Sequence, residues 1–396
     1  MRDSDGIPST VSKLWPVIGV GDGYVTVLGA DHAEQTPRGL VFHRLPKHAL
    51  RRIHTEFFRV VEAQPSGVRL ALWSRATQIE LVVSTTALTL FPDEPVRSYG
   101  QFDLVVDGTL HSEFLVRTGG LRTADIVTNT STVASAAPVT VLFSGLTDRD
   151  KFLEIWLPHD VEVVVQSLRA DAPLAAFQDT RRTWLHYGSS ISHGMNAQRP
   201  TGTWPAVAAV AAGVNLTNLG FSGNAMLDPF VATAIRDHGV DVISLKIGIN
   251  IVNHDGFRAR TFVPAVNSFL DTVRERHPET PIWVISSVLC PIVEDRPGPT
   301  TVVGEPGARH ATTSGLPEDI VRGRLSLSLT RDLLEQIVAS RSVDDPNLHY
   351  LDGRELYGRR EFLSMPMRDG LHPDPEAQRH IGLRFAELVF GVAQGA

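Results

Sequence analysis

The sequence changes its rhythm near Arg181, and that change constrains the fold more than any other feature. Before it, short runs rich in Val, Leu, Phe and Thr occur at 23–28, 68–73, 79–84, 102–106, 139–143, 151–157 and 161–168. Gly, Pro, Asp and Ser separate them, and Val106-Asp107-Gly108-Thr109 is a hairpin signal. Many short strands with turns between them predict an antiparallel sandwich or jelly roll. Residues 51–61 fit either a strand or a short helix. After Arg181, apolar runs at 183–187, 214–219, 240–247, 281–288 and 348–351 alternate with helical patterns at 204–212, 229–238, 258–277, 318–340 and 375–389. In the last of these Ile381, Phe385, Leu388 and Val389 share one face, with Asp374 placed as N-cap and Pro375 at the first helical position. Such alternation predicts a parallel sheet covered by helices on both sides. The expectation is an all-β domain over 1–179 and an α/β domain over 180–396, with the Pro/Ala-rich segment 170–179 as the boundary.

A chain of 396 residues can bury two cores, and 42% hydrophobic against 20% charged residues is the composition of a folded protein. Lys+Arg 37 against Asp+Glu 44 gives a net charge of -7 with no basic run, which argues against a nucleic-acid partner. The single cysteine, Cys290, cannot form an internal disulfide and suits a reducing compartment. The first residues are polar without an apolar signal core, and no stretch reaches the length of a membrane span. The expectation is a cytoplasmic protein without a membrane partner.

Chemistry concentrates in four short blocks of the second half. Gly188-Ser189-Ser190 follows a strand-like run, where a sharp turn would hold a serine out of the sheet, although Gly-Ser-Ser is also ordinary turn chemistry. Asp369-Gly370-Leu371-His372 precedes the last helix and could supply a base and its orienter, or merely a turn ahead of a cap. Asn218-Leu219-Gly220-Phe221-Ser222-Gly223 and Gly248-Ile249-Asn250 each follow a strand. A glycine N–H and an asparagine amide are neutral donors suited to an oxyanion, and both blocks also fit simple turns. Taken together, serine, glycine, asparagine and histidine fall where open α/β sheets bind ligands, at the C-terminal ends of strands.

These ordered blocks resemble the SGNH (GDSL) hydrolases, whose signatures are Gly-Asp-Ser-Leu, a glycine, Gly-x-Asn-Asp and Asp-x-x-His. The resemblance covers the C-terminal half and implies a flavodoxin-like α/β/α sandwich. It implies Ser190 as nucleophile, His372 as base and Asp369 as its orienter, with an oxyanion hole from the Ser190 N–H, Gly223 and Asn250. The chain departs twice, with Ser189 and Ile251 standing where the family has aspartates. Gly-Ser-Ser-Ile-Ser is also similar to the subset in which a β-sandwich precedes the hydrolase domain, some carbohydrate esterases among them. The two-domain layout further resembles secondary-metabolite acyltransferases, salicylyl transfer to a tetracycline-type polyketide being the specific expectation.

The expected activity is therefore acyl transfer through an acyl-Ser190 intermediate, to water or to a small-molecule hydroxyl, from an ester or thioester donor. No cofactor and no metal are expected; His254-Asp255 lacks a third ligand at a recognisable spacing. His186 and His193 lie too near the serine in sequence to face it as base, so structural or substrate-lining roles are expected. Trp15, Trp73 and Trp156 could form a sugar platform but fit sandwich core better. The alternatives are a carbohydrate acetyl esterase and a silent glycan-binding protein. Residues 291–317, long and Pro/Gly-rich, are expected either disordered or functional beside the site. The short boundary predicts that the β half lends surface to the mouth of the site.

Overall fold

A computed structural model describes residues 13–16 and 24–393. The first half is two seven-stranded sheets. One runs Lys13–Pro16, Tyr24–Leu28, Arg69–Ser74, Lys151–Trp156, Gln101–Val106, Thr109–Leu115, with Leu174–Ala176 added beside Arg69–Ser74. The other runs Thr130–Ala134, Gly120–Asp125, Gln78–Thr89, Val161–Ala170, Gly39–His43, His32–Thr36, with Val139–Ser144 beside Gln78–Thr89. Neighbours are antiparallel except Gln78–Thr89 with Gly120–Asp125, which are parallel. Leu70, Leu72, Phe102 and Ile155 of one sheet share a core with Ile79, Leu81, Val163 and Val165 of the other, which makes a sandwich. Gly39–His43 and Thr130–Ala134 were not legible as strands. The first is only five residues long, though Leu40 and Phe42 alternate inward, and the second is polar and largely exposed and shows no hydrophobic alternation.

The ambiguous segment 51–61 resolves into a helix, Glu56–Ala63, with the Thr55 hydroxyl accepting from the Phe58 N–H. Its apolar face does not turn to the sandwich. Phe58 packs on Phe221 and Phe230 with ring centroids 5.1 and 5.7 Å apart, and Leu45, Ala49, Ile53 and Val61 join the same core. The N-terminal half thus contributes side chains to the core of the second half.

That second half is built on a five-stranded parallel sheet ordered Asn215–Gly220, Thr183–Gly188, Val242–Lys246, Ile282–Ile285, Leu348–Leu351. With strands numbered along the chain the order is 2-1-3-4-5, that of flavodoxin-like sheets. Period-two alternation divides the layers: Leu185 and Tyr187 face one helical core, and Trp184 faces the other with Trp204, Ile381 and Phe385. The pattern at 318–340 is broken in the structure into a 3-10 turn, Pro317–Arg322, and a helix, Leu327–Arg341. Gly323 at φ +87° ends the first, and the Ser326 hydroxyl caps the second. Residues 300–313 form a β-hairpin, Thr300–Val303 with His310–Thr313, where the sequence showed no periodicity.

The two halves meet through buried polar contacts. Arg69 donates to the Leu216 carbonyl at 3.2 Å and to Asn215 Oδ1 at 2.6 Å, and Ser66 Oγ donates to the His193 carbonyl at 2.7 Å. No helix of the described residues is long and apolar enough to cross a membrane.

Candidate active site

All four blocks lie at the C-terminal edge of the parallel sheet. The first strand ends at Gly188, and Ser189 caps a single helical turn, Ser190–His193, that begins with the serine. That turn was missed in the sequence because four residues carry no period; the first helix was expected only near 204. It packs so closely on the neighbouring strand that a Cβ on Gly220 would stand 2.4 Å from the His193 nitrogen. Only glycine fits there.

Ser190 is buried, and its hydroxyl donates to His372 Nε2 at 2.9 Å across 182 residues of chain. The other ring nitrogen, Nδ1–H, donates to Asp369 Oδ2 at 2.8 Å. Burial pushes the Asp369 pKa up. Hydrogen bonds from the His372 ring and from the backbone N–H groups of His372 and Leu371 outweigh it, and hold the carboxyl well below its usual range. Asp369 therefore stays ionised and fixes Nδ1 as the protonated nitrogen, leaving Nε2 free to accept. The loop that carries both residues is pinned from outside. The Ala311 N–H of the hairpin donates to the Asp369 carbonyl at 2.8 Å, and Cys290 Sγ lies 3.5 Å from the Gly370 carbonyl. Burial pushes the Cys290 thiol up to about 12, so it is an inert structural group.

The expected oxyanion donors follow the two strands that flank the serine strand, Gly223 after Asn215–Gly220 and Asn250 after Val242–Lys246. Gly223 adopts φ +70°, a left-handed conformation that glycine takes without strain. Its carbonyl accepts from His254 Nε2 at 3.0 Å, which orients the peptide; His254 is thus a backbone anchor. Asn250 is buried, and its Oδ1 accepts from the Ala225 N–H at 3.1 Å, so the NH2 end of the amide faces away from that turn. Among the described residues, neither the Ser190 nor the Gly223 N–H donates to a protein acceptor. No group of three or more His, Cys, Asp or Glu side chains among them is placed to hold a metal ion.

The flanking histidines are buried and occupied. His186 bonds Ser244 Oγ and Ser192 Oγ, each at 2.7 Å. His193 Nε2 donates to the His159 carbonyl at 2.7 Å, and its Nδ1 accepts from Ser222 Oγ at 3.1 Å. Burial drives both pKa values well below that of free imidazole, so both rings are neutral. Trp156 is buried beneath the Arg69 guanidinium and Trp73 is exposed, so these two make no joint platform. The Trp15 side chain lies outside the described residues.

A cavity of about 300 Å³ opens at the site. His193, Ser222, Asp369 and His372 line its floor, and Val61, Leu88, Leu90, Phe91 and Val96 of the β half line an apolar wall. The hairpin closes over that wall. Arg309 pairs with Asp93 at 2.6 Å and Glu94 at 2.5 Å, and its guanidinium lies 4.6 Å from the Phe91 ring centroid. The sequence pointed to surface from the β half and to the 291–317 segment beside the site, but not to the residues of the wall or of this clasp, whose partners stand 215 and 216 residues apart.

Residues 181–291 match the model of the GDSL-like Lipase/Acylhydrolase family, a span that includes Ser190, Gly223 and Asn250. Among solved structures, the salicylyl-acyltransferase SsfX3 from a tetracycline biosynthetic pathway is 27% identical, with a TM-score of 0.77 over 93% of this chain and 96% of that one. Family-two carbohydrate esterases share the fold: that of Clostridium thermocellum at 14% identity and TM-score 0.58 over 92% and 98% of the two chains, and that of Cellvibrio japonicus at 12% and 0.52 over 93% and 95%. Among curated proteins none matches the sequence. The second half carries the GDSL-like acylhydrolase fold behind a β-rich N-terminal half, and the chain is an enzyme of the serine hydrolase and acyltransferase class.

Proposed function

We propose that the protein transfers an acyl group from an ester or thioester donor to a small-molecule hydroxyl through an acyl-Ser190 intermediate. The observation that carries this reading is the Ser190–His372–Asp369 chain of hydrogen bonds, at 2.9 and 2.8 Å. Ser190 Oγ attacks the acyl carbonyl while its proton passes to His372 Nε2, and ionised Asp369 stabilises the imidazolium that forms. The carbonyl oxygen becomes an oxyanion facing the Ser190 N–H, the Gly223 N–H and the Asn250 amide, dipoles already fixed before the reaction. Collapse breaks the bond to the leaving thiol or alcohol, which takes the proton from His372. The acceptor hydroxyl then gives its proton to His372 and attacks the acyl-serine by the reverse steps.

Transfer rather than hydrolysis is supported by two observations. The relative at 27% identity and 93% coverage is by its name an acyltransferase. The apolar wall beside His372, with the Arg309 clasp packed on its Phe91, offers an acyl group an apolar surface that limits water beside it, which a transferase needs. An apolar acyl group such as salicylyl suits that wall, with a secondary metabolite as acceptor. Such small-molecule tailoring suits a cytoplasmic setting, where acyl thioesters are available.

The test is intact-mass measurement after incubation with a panel of acyl thioesters and aryl esters, with and without alcohol acceptors. The wild type and Ser189→Ala are expected to carry one acyl adduct and Ser190→Ala none, and acceptors should consume the adduct faster than water does. An adduct mapped to any residue but Ser190 overturns the nucleophile. Discharge at the same rate with and without every acceptor makes the protein a hydrolase instead.

A further inference from the structure

The Asp369 carboxylate accepts four hydrogen bonds, and they are of two kinds. Three come from its own turn: the Leu371 N–H at 2.9 Å, the His372 N–H at 2.7 Å and His372 Nδ1–H at 2.8 Å. These hold the carboxylate to its own loop and reach the serine only through the His372 ring. The fourth comes from the serine's side, from Asn196 Nδ2, at 3.2 Å to Oδ2. Asn196 follows the Ser190–His193 turn, and its Oδ1 accepts from Arg97 Nη1 of the β half at 2.7 Å. The chemistry of the two neighbours decides the amide's orientation, because a guanidinium can only donate and an ionised carboxylate can only accept. Asn196 also sits at φ +66°, where glycine would serve the backbone equally well. What asparagine adds there is the side chain.

We propose that Asn196, oriented by Arg97 from the β half, is a positioning residue that sets Asp369 against His372 for the reaction at Ser190. The inference rests on the reading of Ser190, His372 and Asp369 given above. It gives the first half a part in the chemistry besides walling the cavity, since Arg97, Asn196 and Asp369 line one continuous cleft. Arg97 is exposed, so its share is the smaller.

Three substitutions test it in the full chain, on a small activated aryl ester. Asn196→Gly removes the side chain while permitting the backbone. Asn196→Asp keeps the shape but turns a second carboxylate toward Asp369, and Arg97→Met frees the amide. Asn196→Gly is expected to lower kcat about tenfold, the scale of one lost hydrogen bond to a charged group, with KM little changed. In Asn196→Asp the added negative charge favours protonated His372, so the acid limb of the pH–kcat profile should move to higher pH. Arg97→Met should lower kcat by less than Asn196→Gly. A fluorophosphonate titration corrects each value for the fraction of folded enzyme. Wild-type kcat and an unmoved acid limb in both Asn196 variants, with His372→Ala inactive, sink this inference alone. An active His372→Ala enzyme sinks the reading beneath it as well.

Discussion

The guanidinium of Arg44 donates to the Gly220 carbonyl at 2.6 Å, joining the β half to the strand that leads into the Gly223 turn. Arg44 also donates to the carbonyls of Asn218 at 3.1 Å, Val61 at 2.6 Å and Glu62 at 3.2 Å, and stacks 4.7 Å from the Phe221 ring centroid. Burial lowers its pKa to about 10 against the pull of Glu62, so the charge persists at neutral pH. Glu62 in turn caps the backbone N–H groups of Arg44 and Leu45 at 2.7 and 2.9 Å.

Arg44→Met leaves those carbonyls without their donor and removes a buried positive charge near Glu62, whose own ion pair is with His43 Nδ1 at 2.7 Å. Leaving a buried polar group without its hydrogen-bond partner costs about 1–3 kcal/mol, and a loss of at least that size is expected here. Arg44→Lys should restore little, because an ammonium cannot reproduce the guanidinium's planar fork. Urea denaturation of both variants checks this, and a midpoint near wild type in Arg44→Met would contradict it.

Asn250 should matter to rate more than to folding. Losing one preorganised oxyanion donor costs about 10²–10³ in turnover. Asn250→Ala is expected to fall by about that factor while fluorophosphonate still labels Ser190. Near-wild-type turnover would remove Asn250 from the oxyanion site.

Stability should decline with acid earlier than ordinary carboxylates would dictate. His186 and His193 have folded pKa values depressed by burial, so both states are neutral above about 6.5. Below that, the unfolded chain takes up protons that the folded rings refuse, and each histidine weakens the fold by up to about 1.4 kcal/mol per pH unit. His43 is the opposite case. Burial lowers its pKa, but hydrogen bonds to Glu62 and Glu34 raise it overall, so its contribution is complete below 6.5 and fades only as pH rises through its folded pKa. Denaturation midpoints between pH 6.5 and 5 should therefore fall in the wild type and fall less steeply in His186→Gln and His193→Gln. Equal slopes in all three proteins would show that these rings titrate normally.

What the sequence determined by itself was local. Turn chemistry between apolar runs marks the sandwich strands, period-two and period-3.6 patterns mark the alternating elements, and both act over a few residues. The four chemical blocks are legible for the same reason: each is short, and each follows a strand whose end the pattern locates. The Ser190–His193 turn, the Thr300–Val303 hairpin strand and polar Thr130–Ala134 were illegible, being too brief or too solvated to carry a period. Tertiary structure alone decided the rest. It turned Phe58 away from the sandwich into the core of the second half, sent Arg44 to a carbonyl 176 residues away and set Asn196 between Arg97 and Asp369. Such contacts leave no periodic trace, because a buried donor is satisfied by whichever acceptor the packing brings near, not by one at a fixed sequence spacing.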